Sequence, residues 1–290
     1  MTPAVQTETA TSAGSARQCA VRDAAYRIRL RALNMGEQQG QGYIGQALGV
    51  ADILAAAYAD QLRLRPEQPQ WPQRDRFLLS IGHYAIALYA ALAEAGILAE
   101  AELESYASDE SRLPMSSMGS YTPGVEISGG SLGHGLGVGV GIALGLRYQH
   151  NPARVFNLLS DGELNEGSTW EAAMSAGHNG LGNLIGIVDV NGLQADGAAQ
   201  RVLSTESIED KWRSFGWRTH RVDGNDLPAL LDAFDALPSP DSGTPTVLIC
   251  DTRIGFGVRL LEDREKAHFM RVDEHEWNIA REQLAERFTR

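Results

Sequence analysis

The chain has 290 residues, enough for one large α/β domain or two small ones around a sizeable core. Its formal net charge of −12 would repel nucleic acid and anionic membrane surfaces, and 43% hydrophobic with 21% charged residues is ordinary for a globular protein. Two distant cysteines, Cys19 and Cys250, argue against a disulfide scaffold or a C-x-x-C zinc site and fit a reducing cytoplasm.

The first 18 residues are rich in Thr, Ala and Ser and have no apolar core. They read as a disordered lead-in, not as a signal peptide, followed by a single domain over 19–290. Helical periodicity then predicts helices over about 21–35, 45–63 and 85–96, with a proline-marked loop "RLRPEQPQWPQRDR" between the last two. The stretch "GGSLGHGLGVGVGIALG" has neither the dinucleotide nor the P-loop spacing. Gly133, Gly137, Gly141 and Gly145 are spaced by four, so they would share one face of a helix over 133–148. Each glycine costs a helix about 1 kcal/mol against alanine, so close approach of another helix or of a ligand should compensate. Ahead of that helix, "GGSL" could offer free backbone N–H groups to an anion. The weakly polar run from Ile127 to Leu146 is broken by Ser131 and His134 and is not read as a membrane span.

Beyond residue 150, four β-like runs at 154–159, 184–190, 217–222 and 246–251 alternate with helical segments such as "STWEAAMSAGHNG" and "DLPALLDAFDAL". That alternation predicts an α/β fold, a central parallel sheet with helices on both faces. Asp161 and Gly162 follow the first run, and Asn191 follows the second, thirty residues later. In open α/β sheets, ligands bind at the carboxyl ends of the strands. If the two strands are neighbours, Asp161 and Asn191 converge there. A carboxylate and an amide oxygen suit Mg2+ held jointly with a phosphate-bearing ligand, and a helix starting near Ser168 would aim its positive end at the same place. Asp-Gly and Asn-Gly are also ordinary turn dipeptides, so the paired spacing carries the argument.

With that spacing, the chain resembles the thiamine diphosphate-dependent enzymes, whose cofactor motif begins Gly-Asp-Gly and ends in Asn about thirty residues on. It is most similar to the N-terminal subunit of split, two-component transketolases. The segments "GYIGQALGVADILAAAY", "DRFLLSIGHYAIALYA", "TPGVEISGGSLGHGLGVGVGIALG", "SDGELNEGSTWEAAMSAGHNGLGNLIGIVDVNGLQADG" and "TRIGFGVRLLEDREKAHF" carry the resemblance over roughly residues 20 to 290. It implies a thiamine diphosphate-binding fold in which Asp161, Asn191 and the Leu193 carbonyl hold Mg2+ on the diphosphate, beside Gly162. It likewise places Gly130, Ser131 and Leu132 against the cofactor, His83 near its phosphates, and His268 between cofactor and substrate. Glu166 matches a glutamate of a proton relay across the subunit interface, whereas Glu163 reads as a loop-solvating bystander. The implied chemistry is transfer of a two-carbon ketol unit from a ketose or ketose phosphate donor to an acceptor. His83, His268 and Glu166 would be its catalytic groups.

The departures from the family pattern bear on partner and substrate. The chain ends after the diphosphate-binding domain, so the resemblance implies a second subunit carrying the pyrimidine-binding and C-terminal domains, in a two-plus-two heterotetramer. The glycine face is the candidate for packing at that interface. Tyr43 stands in "GYIG" where the family usually has a substrate-binding histidine, and the usual "GHPD" element before "TPGVE" is replaced by a stretch offering Ser116 or Ser117. The usual "GDG" is "SDG", and His134 replaces a glutamine. The two lost histidines point to a specialised acceptor, an unusual sugar or a lipoyl- or carrier-protein-bound group of secondary metabolism. A subunit of a thiamine-dependent 2-oxo acid dehydrogenase or decarboxylase, and a non-catalytic regulatory paralogue, are the alternatives.

Overall fold

The computed structural model describes residues 4–264 and 268–288. Residues 1–3 of the expected lead-in and 265–267 of the "EKAHF" motif lie outside the described residues. Helix α1 spans Ala4–Gln39 and so takes in most of the segment expected to be a disordered lead-in. Its anchor within that segment is Arg17, which bonds Asp60 at 2.6 Å and Asp235 at 2.6 Å. The expected helix over 45–63 is broken into Ile44–Gly49, Ala51–Ala56 and a wider turn at Ala57–Gln61.

Five parallel strands form the central sheet: β1 Arg76–Leu79, β2 Val155–Ser160, β3 Leu184–Val190, β4 Arg218–Asp223 and β5 Thr246–Asp251. Their order across the sheet is β1-β2-β3-β5-β4. Sequence periodicity finds all but β1, whose four residues are too short to show a period and hide behind the proline loop. The inner strands read as continuous apolar runs because both sheet faces are covered.

Successive residues of each strand point to opposite faces. Phe77, Phe156, Leu158, Ile187 and Leu248 join α1 and the helices α2 Ala85–Glu94, α6 Leu227–Asp235 and α7 Glu276–Phe288 in one core. Leu78, Leu159, Val188 and Ile249 pack on the other face against α3 Gly135–Tyr148, α4 Gly167–His178 and α5 Ile208–Ser214. The fold is therefore helix–sheet–helix, as the alternation of elements predicts.

One buried ion pair ties distant segments into the first core. Arg29, fully buried, donates to Asp52 at 3.0 and 2.5 Å and to the Leu48 carbonyl at 3.0 Å. Asn225 donates to the same Asp52 carboxylate, and the rings of Phe256 and Phe288 lie 5.2 and 4.8 Å from the guanidinium carbon. Removing one partner of such a pair strands the other charge away from water. Asp52→Ala is expected to lower unfolding stability by about 3–5 kcal/mol, read as a drop in the urea midpoint, and Asp52→Asn by less.

Candidate functional site

Strands β2 and β3 are adjacent and in register, Ser160 opposite Asp189, so the residues that follow them meet at one edge. The Asp161 N–H donates to the Asp189 carbonyl at 2.9 Å. Its carboxylate then accepts from Gly162 N–H at 2.9 Å and from Gly192 N–H at 2.8 Å, clipping the loop after β3 to the loop after β2. Asn191 donates through Nδ2 to Asp189 at 2.7 Å and to the Tyr84 hydroxyl at 3.0 Å. A carboxylate only accepts, so the amide nitrogen must face Asp189 and Oδ1 must face away, where it accepts from Leu193 N–H at 3.0 Å.

Asp161 is 3% exposed, and burial, with Asp189 nearby, pushes its pKa up to about 7. An anionic group this short of counter-charge suits a cation. The Asp161 carboxylate, the Asn191 amide oxygen and the Leu193 carbonyl are the hard oxygen donors that Mg2+ prefers. Among the described residues no group of three or more His, Cys, Asp or Glu could hold a metal ion, so a cation here would rest on this mixed set. The donor chemistry fits Mg2+ on a diphosphate.

The turn at 129–134 packs on the end of β1. A Cβ on Gly129 would lie 2.2 Å from the Leu79 carbonyl oxygen, so only glycine allows this approach. Gly130, at φ +112°, donates to the Ser80 carbonyl at 3.0 Å. Ser131 is exposed and Leu132 half-buried.

Two expectations are corrected here. Gly133 does not share the helix face: α3 starts at Gly135, and Gly133 sits before it at φ +81°. Gly137 and Gly141 are exposed, and a Cβ at either would meet nothing within 4 Å, so no helix among the described residues packs on that stripe. Glu163 is no bystander. It is fully buried, accepts from the Ser80 hydroxyl and from Gly133 N–H at 2.7 Å, and burial pushes its pKa up to about 7. A carboxylate three residues before an exposed one reads as solvating in sequence; only the three-dimensional path of the loop turns it inward.

Beside this edge stands a ring cluster. His83 belongs to the tight turn Gly82–Tyr84 between β1 and α2. Tyr43 lies 4.5 Å from His83, 5.7 Å from His268 and 5.1 Å from Phe269, centroid to centroid, and the two histidines are 6.0 Å apart. Burial, with His268 adding to it, lowers the His83 pKa to about 4, and burial also lowers that of His268, so both imidazoles are neutral at pH 7. The His268 Nδ1 atom is buried without a partner among the described residues. Ser116 donates to the Gly129 carbonyl at 3.2 Å, which fastens the "GHPD" replacement to the turn, while Ser117 is buried. Glu166 stands at the N-terminal cap position of α4, exposed and without a side-chain capping bond.

Sequence reading missed the support beneath these groups. Asp189, fully enclosed at the end of β3, accepts from Tyr84 at 2.9 Å and from Thr252 as well as from Asn191. An aspartate closing an apolar strand two residues before Asn191, on the same side of the strand, was the available signal. A cleft of about 910 Å3 lined by Arg63, Arg147 and Arg154 lies at the opposite, amino-terminal edge and contains none of the predicted site residues.

A doubly wound parallel sheet whose carboxyl edge pairs an aspartate with an inward-locked asparagine, under a glycine turn, defines a diphosphate-binding domain. The sequence profile of the transketolase thiamine diphosphate binding domain matches residues 21–287, and the chain belongs to that family. A putative uncharacterized transketolase family protein of Sinorhizobium fredii is 60% identical over 253 residues, covering 87% of this chain and 91% of that one. The 6-deoxy-6-sulfo-D-fructose transketolase subunit SqwG of a Clostridium species is 35% identical, covering 83% and 87% of the two chains. An apulose-4-phosphate transketolase subunit of Actinobacillus succinogenes is 36% identical, covering 90% and 93%. Among solved structures, transketolase from Campylobacter jejuni superposes with TM-score 0.85 at 29% identity, over 91% of this chain and 42% of that chain. The chain thus spans less than half of that transketolase and nearly all of the separate subunits.

The neutral state of His83 has a measurable consequence. Its folded pKa lies below the unfolded value near 6.5, so its contribution to stability is present above pH 6.5 and is lost as pH falls through about 4. Its imidazole resonance should titrate near pH 4 in the cofactor-free chain. His83→Asn should flatten the part of the stability–pH curve between those values.

Proposed function

We propose that the chain is the diphosphate-binding subunit of a two-component transketolase, active only with a second chain that supplies the pyrimidine-binding domain. The observation that carries the reading is the Asp161–Asn191 pair, with the amide oriented by Asp189 and Tyr84. In it, Asp161, Asn191 and the Leu193 carbonyl hold Mg2+. Gly162 and the turn Gly130–Leu132 lie along the diphosphate. Thiamine diphosphate, when bound, supplies the electron sink for breaking the carbon–carbon bond beside a ketose carbonyl.

The remaining work falls to side chains of this chain. His83, neutral in the cofactor-free chain, can donate a hydrogen bond toward the phosphates. His268, whose Nδ1 has no partner among the described residues, has a ring nitrogen free to hydrogen-bond a substrate hydroxyl. Glu166, exposed at the head of α4, meets the second chain in this reading. Support for separate chains comes from the relatives named as subunits of transketolases for 6-deoxy-6-sulfo-D-fructose and apulose 4-phosphate, whose lengths this chain nearly matches.

The acceptor in this reading is a specialised one, an unusual sugar or a carrier- or lipoyl-bound group. Tyr43 presents a phenol, beside His83 and His268, where the family usually has a histidine, so the group offered to the substrate differs at that point.

Titration calorimetry with thiamine diphosphate and Mg2+ tests the cofactor half. Binding is expected for the wild type, with its second subunit, and Asp161→Ala should weaken it by about 100-fold or more, as loss of a metal ligand does. No binding by the wild type together with its second subunit would favour the non-catalytic paralogue. For the acceptor, Tyr43→His is expected to raise kcat/KM for xylulose 5-phosphate with ribose 5-phosphate by about 100-fold, the lower end of the worth of one positioned proton carrier. Efficient turnover of that pair by the wild type would sink the specialised-acceptor reading.

A further inference from the structure

Glu163 is the buried group that the reaction outlined above leaves unused. It sits on the metal loop, two residues after Asp161, and is 0% exposed. Its Oε1 accepts from two separate segments: from the Ser80 hydroxyl at the end of β1 and from Gly133 N–H in the turn before α3. The Ser80 hydroxyl in turn accepts from Gly135 N–H at 3.0 Å, the first residue of that helix. Glu163's own N–H donates to Ser160 at 3.3 Å, which fixes the side chain's point of departure.

The glycines on the receiving side are there for contact. A Cβ on Gly135 would lie 2.3 Å from Ser80 Oγ, and one on Gly133 would lie 2.7 Å from Glu166 Cβ. The turn carrying Gly130, Ser131 and Leu132 is thus held at its start by the Ser80 backbone carbonyl and at its end by Glu163 and the Ser80 side chain. A burial this complete is unfavourable for a carboxylate unless its bonds repay it, and one oxygen, Oε2, has no partner among the described residues. Shape alone would have been met by a leucine or methionine at lower cost. What only an acceptor at this position provides is a rigid link between the metal loop and the turn.

We propose that Glu163 is a positioning residue that sets the distance between the two halves of the diphosphate site, the Asp161 loop and the Gly130–Gly133 turn. The inference rests on the transketolase-subunit reading. It adds that cofactor affinity depends on a side chain that need not touch the cofactor.

The test uses the full chain assembled with its second subunit, and measures the dissociation constant of thiamine diphosphate at fixed Mg2+ together with KM for the cofactor and kcat at saturation. Glu163→Ala is expected to weaken cofactor binding and raise its KM by about tenfold or more, the worth of a lost charge-assisted hydrogen bond, with kcat at saturation within about threefold. Glu163→Gln keeps the acceptor oxygen and should restore binding to within about threefold of wild type. Equal affinity in all three proteins overturns the proposal, as does a fall in kcat with KM unchanged. If Glu163→Ala does not fold, Ser80→Ala decides: it removes one arm of the clasp, and weaker cofactor binding at an unchanged thermal midpoint supports the proposal, whereas wild-type binding overturns it. Absence of cofactor binding by the wild-type assembly would instead strike the functional reading itself, so the two failures are distinguishable.

Discussion

The carboxylate of Asp189 is the point on which the site depends. It lies fully enclosed at the carboxyl end of the central strand β3, and burial pushes its pKa up. An isolated charge in that position would be strongly unfavourable, so its neighbours are arranged as donors: Tyr84 from the turn after β1, Asn191 from the loop after β3 and Thr252 from the loop after β5. Three loops of the sheet edge therefore converge on one acceptor. Each of those loops also carries or adjoins a group of the candidate site: His83 beside Tyr84, Asn191 itself, and the segment that leads from Thr252 toward His268. While ionised, the buried carboxylate fixes the direction of the Asn191 amide, since it can only accept.

What could be read from the sequence was whatever depends on period and on order along the chain. The long apolar runs gave three of the inner strands, and the thirty-residue interval between Asp161 and Asn191 was enough to bring them together because β2 and β3 are neighbours in register. Short or tertiary features escaped. Four residues of β1 have no measurable period, yet their end supplies Ser80, His83 and Tyr84. Glycine spacing suggested a face that includes Gly133, but a helix cannot include a residue at φ +81°, and the stripe begins only at Gly137. Glu163 and Glu166 look alike as acidic neighbours in a loop. Their fates differ because a short helical turn at Gly162–Asn165 rotates one into the protein and leaves the other outside.

The open surfaces beside the site are consistent with a second chain. Val138 and Met174 are exposed at 43% and 55%, on the helices α3 and α4 that also carry the bare glycine stripe and Glu166. Small residues allow a backbone to come close, and scattered large apolar side chains around them provide area to bury. In the proposed two-component reading, a subunit that leaves half of its cofactor site open has reason to keep such a face, because the interface and the active site are then formed in one event.

Cofactor and substrate halves are built from different materials, and that difference governs how the protein can diverge. The cofactor half consists of backbone N–H groups, close-packed glycines and buried carboxylates, where one altered atom disturbs several bonds at once. In the proposed reading the half facing the substrate is a cluster of rings, Tyr43, His268 and Phe269, with centroids 5.1 to 5.7 Å from Tyr43 and Phe269 47% exposed. Ring contacts tolerate exchange of one aromatic for another with little effect on the fold beneath. A phenol can therefore occupy the place of an imidazole without disturbing Asp161 or Asn191, and substrate preference can change while the diphosphate clamp stays as it is. In the proposed reading, a change at Tyr43 alters what the chain acts on and leaves the way it holds its cofactor as it is.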